Sequence, residues 1–383
     1  MPDTNIGYKI VKNIIYLILT AFIVVMCSCS SKSSRVDYLP CQVDEYDDWS
    51  FVNAQGEIFC REWFSECPTE VRDGIFFVEE NDAYSMYQFD TKEPKLLLED
   101  ISSYGKMSEG LVPICKNDSY IEIVNPKGVT QFILDKINGQ KVKSCAPSFK
   151  NGCLLVLSVD DNEDSYYSII DKSGKVVLSP MYDDLRILGK DLFFARYDDN
   201  GEEWSGFIDK EGKKIAQWDE ENDVKYITKK YIVAKNSDGY YIFDITGKEV
   251  LRCPSKVKDI MECEDDFFVF HDGSDYGVMN VKGEIILPTK YRNIEIVKDV
   301  FVAQKRTSEN KNLQVFNKEG ELIADIEESE YAQDIVYVDE FGYVLTGDYD
   351  CVLDTAFKPV KNLEFEAIHT PEEYEDISSE YMD

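Results

Sequence analysis

Short apolar runs separated by polar turns recur along most of this 383-residue chain, and their recurrence is regular. Each apolar run ends in Asp or Asn, and three residues later comes a position that is usually Gly. The clearest copies are Ser168-Ile169-Ile170-Asp171-Lys172-Ser173-Gly174, Gly206-Phe207-Ile208-Asp209-Lys210-Glu211-Gly212 and Gly277-Val278-Met279-Asn280-Val281-Lys282-Gly283. The acid or amide recurs at Asn53, Asp90, Asn125, Asp171, Asp209, Asp244, Asn280, Asn317 and Asp354, at spacings of 37, 35, 46, 38, 35, 36, 37 and 37. A period near 37 residues is the mark of a repeat array. The pattern reads as a hairpin in which the Asp or Asn side chain bonds back onto the turn and Gly takes the positive φ that other residues resist. Gly fills that place at Gly56, Gly128, Gly174, Gly212, Gly247, Gly283 and Gly320. Glu93 and Phe357 stand there in the second and last copies, which predicts looser hairpins or a different turn. The one long interval contains the acidic stretch Asp160 to Asp164.

Two more strands flank each hairpin. Runs such as Phe267-Phe268-Val269-Phe270 and Val300-Phe301-Val302-Ala303 precede it, and runs such as Leu185-Arg186-Ile187-Leu188 follow it. Each repeat therefore reads as four short antiparallel strands in a meander, and no segment after the N-terminal leader carries an amphipathic helical period. A lone sheet of four strands cannot bury both faces, so the units must stack. The fold class expected is all-β, most simply a β-propeller of seven to nine blades, with an open β-solenoid as the alternative.

These residues resemble the bacterial WG repeat, also called KWG, whose pattern runs Trp-Gly, two residues, Asp, a Gly turn, Pro-x-Tyr-Asp and then Glu-Gly-Leu. Its pieces stand in Trp204-Ser205-Gly206-Phe207-Ile208-Asp209, Tyr276-Gly277-Val278-Met279-Asn280, Pro180-Met181-Tyr182-Asp183, Pro288-Thr289-Lys290-Tyr291 and Ser108-Glu109-Gly110-Leu111-Val112. The likeness spans residues 49 to about 360, with Trp mostly replaced by Tyr and the Gly after it often missing. The resemblance implies a β-rich scaffold, often on exported proteins, with no shared catalytic residues.

The N-terminus adds an address. Lys9 and Lys12 precede an apolar run from Ile14 to Met26, too short for a membrane span, and small sulfur-rich residues follow it. Met26-Cys27-Ser28-Cys29 resembles the lipobox of bacterial lipoproteins, with Cys29 as the lipid-bearing first residue because Ser28 offers the small side chain that cleavage needs. The expected organisation is a signal peptide over 1–28, a polar tether over 29–37, the repeat domain over 38–368 and an acidic disordered tail over 369–383. That places the chain in the cell envelope, on the outer membrane or surface of a Gram-negative bacterium.

Charge narrows the partners. With 74 acidic and 41 basic residues the formal net charge is −33, and this body repels nucleic acid. A hydrophobic content of 44% is too high for a disordered acidic chain, so the charge belongs to the exterior of a packed fold. Beyond Cys27 and Cys29 lie nine cysteines, Cys41, Cys60, Cys67, Cys115, Cys145, Cys153, Cys253, Cys263 and Cys351. The near pairs Cys60 with Cys67, Cys145 with Cys153, and Cys253 with Cys263 suit bridges within a repeat or, equally, buried thiols.

Candidate chemistry is sparse. The two histidines, His271 and His369, fall beside a turn and in the charged tail, which gives no nucleophile and base set and no transition-metal site. The oxygen-rich stretches 160–164 and 198–203 lack the ligand alternation of a calcium loop and read as solvated connections. The expectation is a non-enzymatic scaffold without cofactor, binding the membrane through its lipid and binding a protein, peptide or glycan through the array. The alternatives are a carbohydrate-active enzyme with paired carboxylates at a propeller mouth, ringed by some of the 24 tyrosines, and a purely structural envelope component.

Overall fold

The structure is a computed structural model that describes residues 36–43, 48–116, 120–199, 201–218, 223–228, 230–305, 313–326, 334–338, 341–346, 350–365 and 367–368. Among the described residues every regular element is a strand, and all pairings are antiparallel. The turn chemistry read from the sequence explains why. Asp171 accepts hydrogen bonds on its carboxylate from the Ser173 and Lys175 amides at 2.8 and 3.0 Å, while the Gly174 amide donates to the Asp171 carbonyl at 2.9 Å. This is a tight turn followed by a bulge residue with positive φ. The seven turn glycines lie at φ between +71° and +83°. Gly320 needs its missing side chain twice over, since a Cβ there would sit 2.7 Å from the Ile286 carbonyl oxygen of the preceding repeat.

The last hairpin departs from expectation. It keeps the same turn, with Phe357 at φ +57° and its amide donating to the Asp354 carbonyl at 2.9 Å. The reason is packing: the Phe357 ring is buried in the core shared by the last two repeats, 4.8 Å from the Tyr343 ring. Glu93, by contrast, is not among the residues with positive φ, and the second hairpin takes another form. The long interval is also corrected. Its extra length is spread over a small hairpin at Lys136–Ile137, the connection 146–152 and the stretch 160–164, instead of lying in the last alone.

Among the described residues the strands assemble into seven sheets. Five stand as discrete blades of four or five strands, which corrects the expectation of seven to nine separate ones. The other two sheets are composite, each fusing two repeats. In the seven-stranded sheet one 13-residue strand, Ile285–Val297, pairs with Tyr276–Asn280 through its first half and with Val300–Lys305 through its second. In the eight-stranded sheet Val36–Gln42 pairs with Val71–Arg72 of the next repeat. Hairpin number fails to count sheets because a repeat that ends without a break continues its hydrogen-bond ladder into the next.

Among the described residues nine apolar clusters bind the array, and eight of them are built from two consecutive repeats. One contains Ile169, Leu178 and Tyr182 against Leu185, Phe193 and Ile208; the next contains Phe194, Phe207 and Trp218 against Ile232, Ala234 and Phe243. The series returns on itself, because Val36, Leu39, Cys41 and Val52 at the start pack with Val338, Phe341, Val344, Val352 and Phe365 near the end. Ala367–Ile368 then pairs with Gln42 and Cys41, supplying the first sheet with a strand from the far end of the chain. The array is a closed β-propeller, and the open solenoid is excluded.

Phe357 gives a direct test of this packing. Phe357→Ala should lower stability by about 3 kcal/mol, because the ring leaves a core while the strained turn stays. Phe357→Gly should recover about 1 kcal/mol of that loss. Urea midpoints at constant slope measure both, and an alanine variant at least as stable as the glycine variant would contradict the described turn.

Candidate functional site

The residues of the repeat motif turn out to be joints between sheets. Trp204 is buried beside Tyr197, with ring centroids 5.2 Å apart, and the Lys214 ammonium lies 4.8 Å from the indole. Two residues on, Gly206 meets the outer strand so closely that a Cβ would stand 2.2 Å from the Ala216 carbonyl oxygen. Tyr182 ends its outer strand and plugs the next interface, 5.3 Å from Tyr197, and Tyr291, midway along Ile285–Val297, plugs another 5.9 Å from Phe316. Trp218 takes the equivalent place one repeat later, its amide donating to the Ser205 carbonyl at 2.8 Å. These aromatics are consumed by the fold and are withdrawn from any ligand.

Antiparallel strands give the ring two ends with different content. The repeat hairpins, such as 171–175 and 209–213, lie at one end; the connections such as 160–164 and the turn at Gly201 lie at the other. Exposed Lys127, Lys172, Lys210, Lys248 and Lys282 stand on the hairpin end, interleaved with acids such as Glu211 and Glu319. On the loop end, 160–164 and 198–203 contain no basic residue. Asp160 repeats the hairpin chemistry, its carboxylate accepting from the Asn162 and Asp164 amides at 2.8 and 3.0 Å, with Glu163 in the glycine place at φ +69°. Asp161, Asp164, Glu202 and Glu203 are exposed, Glu203 lying 3.8 Å from Arg196.

A cleft of roughly 180 Å³ opens at the loop end between the third and fourth repeats. Ile121, Leu134, Val142 and Val159 form its floor, and Lys141 and Lys143 stand at its rim. Nothing in the sequence marked it, because its walls come from two repeats and its lysines sit in a strand without a motif. On the inner strands, the Glu262 carboxylate accepts from the Ile296 amide of the following repeat at 2.9 Å, and the Tyr226 hydroxyl donates to the Met261 carbonyl at 3.1 Å. These bonds stitch neighbouring inner edges, so Glu262 and Tyr226 are also partly spent on the ring itself.

No disulfide joins any of the nine described cysteines of the array. Cys145 and Cys153 belong to different cores on opposite faces of one sheet, which excludes a bridge between them in this fold. Burial pushes the thiols of Cys41, Cys145, Cys253 and Cys263 up to about 12, and they pack as small apolar groups. His271 accepts from the Gly273 amide at 3.2 Å through Nδ1 and rests 4.9 Å from the Tyr276 ring, a turn contact. Cys29 and His369 lie outside the described residues.

Comparison with known proteins agrees on the repeat. Residues 167–200 match the profile of the WG containing repeat, the segment holding Pro180-Met181-Tyr182-Asp183. No curated protein sequence matches the chain. Among solved structures it is similar to BamB from Moraxella catarrhalis, with 11% identity, a TM-score of 0.38, 73% of this chain and 91% of that chain covered. It is also similar to the C-terminal WD40 domain of Sif2, at 10% identity and a TM-score of 0.39 over 82% of this chain and 95% of that one. AztD from Citrobacter koseri aligns at 13% identity and a TM-score of 0.32, covering 82% and 98%. Scores this low carry no weight, and the propeller rests on this chain's own sheet order and closed cores.

Two measurements check the site chemistry. Gly206→Ala should destabilise the protein by about 2 kcal/mol or more, since strand backbone must shift to admit the methyl, and a thermally neutral variant would refute that contact. The buried thiols should stay protonated and almost unreactive toward a disulfide reagent at pH 8 until urea unfolds the chain. Their raised folded values also make stability constant below the free-thiol range near 9 and falling as pH rises toward about 12. Fast titration of Cys41 and Cys145 in the folded protein would contradict their placement.

Proposed function

We propose that this chain is a non-enzymatic, lipid-anchored protein of the bacterial cell envelope whose propeller is a scaffold for binding another macromolecule. Acylation of Cys29 attaches it to the outer membrane, and the ring presents its loop end to a protein, peptide or glycan. A protein or peptide rich in Lys and Arg is favoured. The observation that carries this reading is the different content of the two rims: on the hairpin end the turn acids are bound to backbone amides and exposed Glu211 and Glu319 alternate with lysines, while on the opposite rim Asp161, Asp164, Glu202 and Glu203 stand exposed in stretches that hold no basic residue. Carboxylates clustered on one rim raise the encounter rate with a basic partner and disfavour anionic ones. The 34-residue repeat match supports an interaction scaffold of the WG kind without naming a partner.

The test is crosslinking in intact cells followed by recovery of the full-length chain. The triple variant Asp198→Asn, Glu202→Gln, Glu203→Gln should recover its partner about fivefold less well than the wild type, and raised salt should weaken the wild-type complex. Equal recovery by both proteins at all salt concentrations would reject the loop end as the binding surface.

A further inference from the structure

We propose that the hairpin end of the propeller faces the membrane that holds the lipid, so that the acidic loop end points away from it; this rests on the lipid-anchor reading above. The placement of the first strand decides the direction. Val36–Gln42 begins at the hairpin end, because Leu39 lies opposite Val52 and the turn that starts at Asn53 follows at once. The polypeptide preceding Val36 therefore reaches the ring at that end.

Length turns this into an orientation. Residues 29 to 35 span at most about 25 Å at full extension. The wall they would have to climb to bring the loop end to the bilayer is one strand tall, about 23 Å for seven residues. A tether drawn taut along the wall has almost nothing left to reach the surface, whereas one leaving from the hairpin end has slack.

Charge opposes the inverted pose as well. Lys127, Lys172, Lys210 and Lys282 are exposed on the hairpin end, where an anionic headgroup surface attracts them, Lys172 and Lys210 being also paired with Glu109 and Asp191. The interleaved acids Glu211 and Glu319 make this end mixed in sign, so the tether selects it and the lysines support the choice. At the other end the carboxylates of Asp161, Glu163, Asp164, Asp198, Glu202 and Glu203 would be pressed against phosphates of their own sign, a repulsion that exposed Lys141, Lys143, Lys256 and Lys290 of that end partly offset, so the tether and not charge carries the choice.

Amine acylation mapped by peptide mass spectrometry reads the orientation without altering the ring. The full-length lipidated protein is floated on vesicles of three parts phosphatidylethanolamine to one part phosphatidylglycerol and compared with soluble Cys29→Ala. On vesicles, Lys127, Lys172, Lys210 and Lys282 should react about threefold more slowly than in the soluble variant, while Lys256 and Lys290 at the loop end keep their rates. Flotation with uniform protection, or with Lys256 and Lys290 protected instead, overturns the orientation and leaves the anchor standing. Failure of the wild type to float overturns the anchor and the orientation with it.

Discussion

A four-stranded sheet with two apolar faces has to be covered on both sides, and the rest of this protein follows from that need. Each repeat supplies half of two cores: Ile169 and Leu178 face the next repeat, while Leu154 and Ile170 of the same sheet face the previous one. A linear stack would leave one bare apolar face at either terminus. Bending the stack until the first face meets the last removes both, as Val36 and Leu39 do against Val344 and Phe365. The motif residues are the hardware of that bend. Gly206 lets the outer strand close in, and Tyr182, Trp218 and Tyr291 fill the wedge that opens toward the rim.

Much of the repeat was legible because its chemistry is local. Asp171 and Gly174 are three residues apart, and the bond between them needs no tertiary context. Features that depend on distant residues left little trace. Ala367–Ile368 has no sequence character that marks it as a partner of Cys41, and the tail was expected to begin immediately after it. The run from Ile285 to Val297 resembles its counterparts elsewhere, yet only there does the strand pass unbroken into the following repeat. Phe357 misled for a related reason: a turn position judged by backbone preference alone was decided by a core that the local sequence does not display.

The same distinction governs function. Side chains that a motif search would single out, the hairpin acids, the Trp and Tyr of the repeat and the cysteines, are occupied with backbone amides or with cores. What is left for recognition is unpatterned: exposed carboxylates on connections of unequal length and two lysines over an apolar cleft. Such surfaces vary freely while the ring stays intact, so a common architecture does not carry a common ligand.

The clasp formed by Ala367–Ile368 has a consequence for when the molecule can exist at all. Its strand emerges from the ribosome, and crosses a membrane if the chain is exported, after every other described residue. Until then the first sheet lacks its inner strand, and before residues 338–365 emerge the core at the seam has only one wall. Earlier repeats can pair with their neighbours as they appear, but the ring is an all-or-nothing product of the finished chain. Nascent copies therefore pass through a stage with two sticky faces, when a holding chaperone has most to protect.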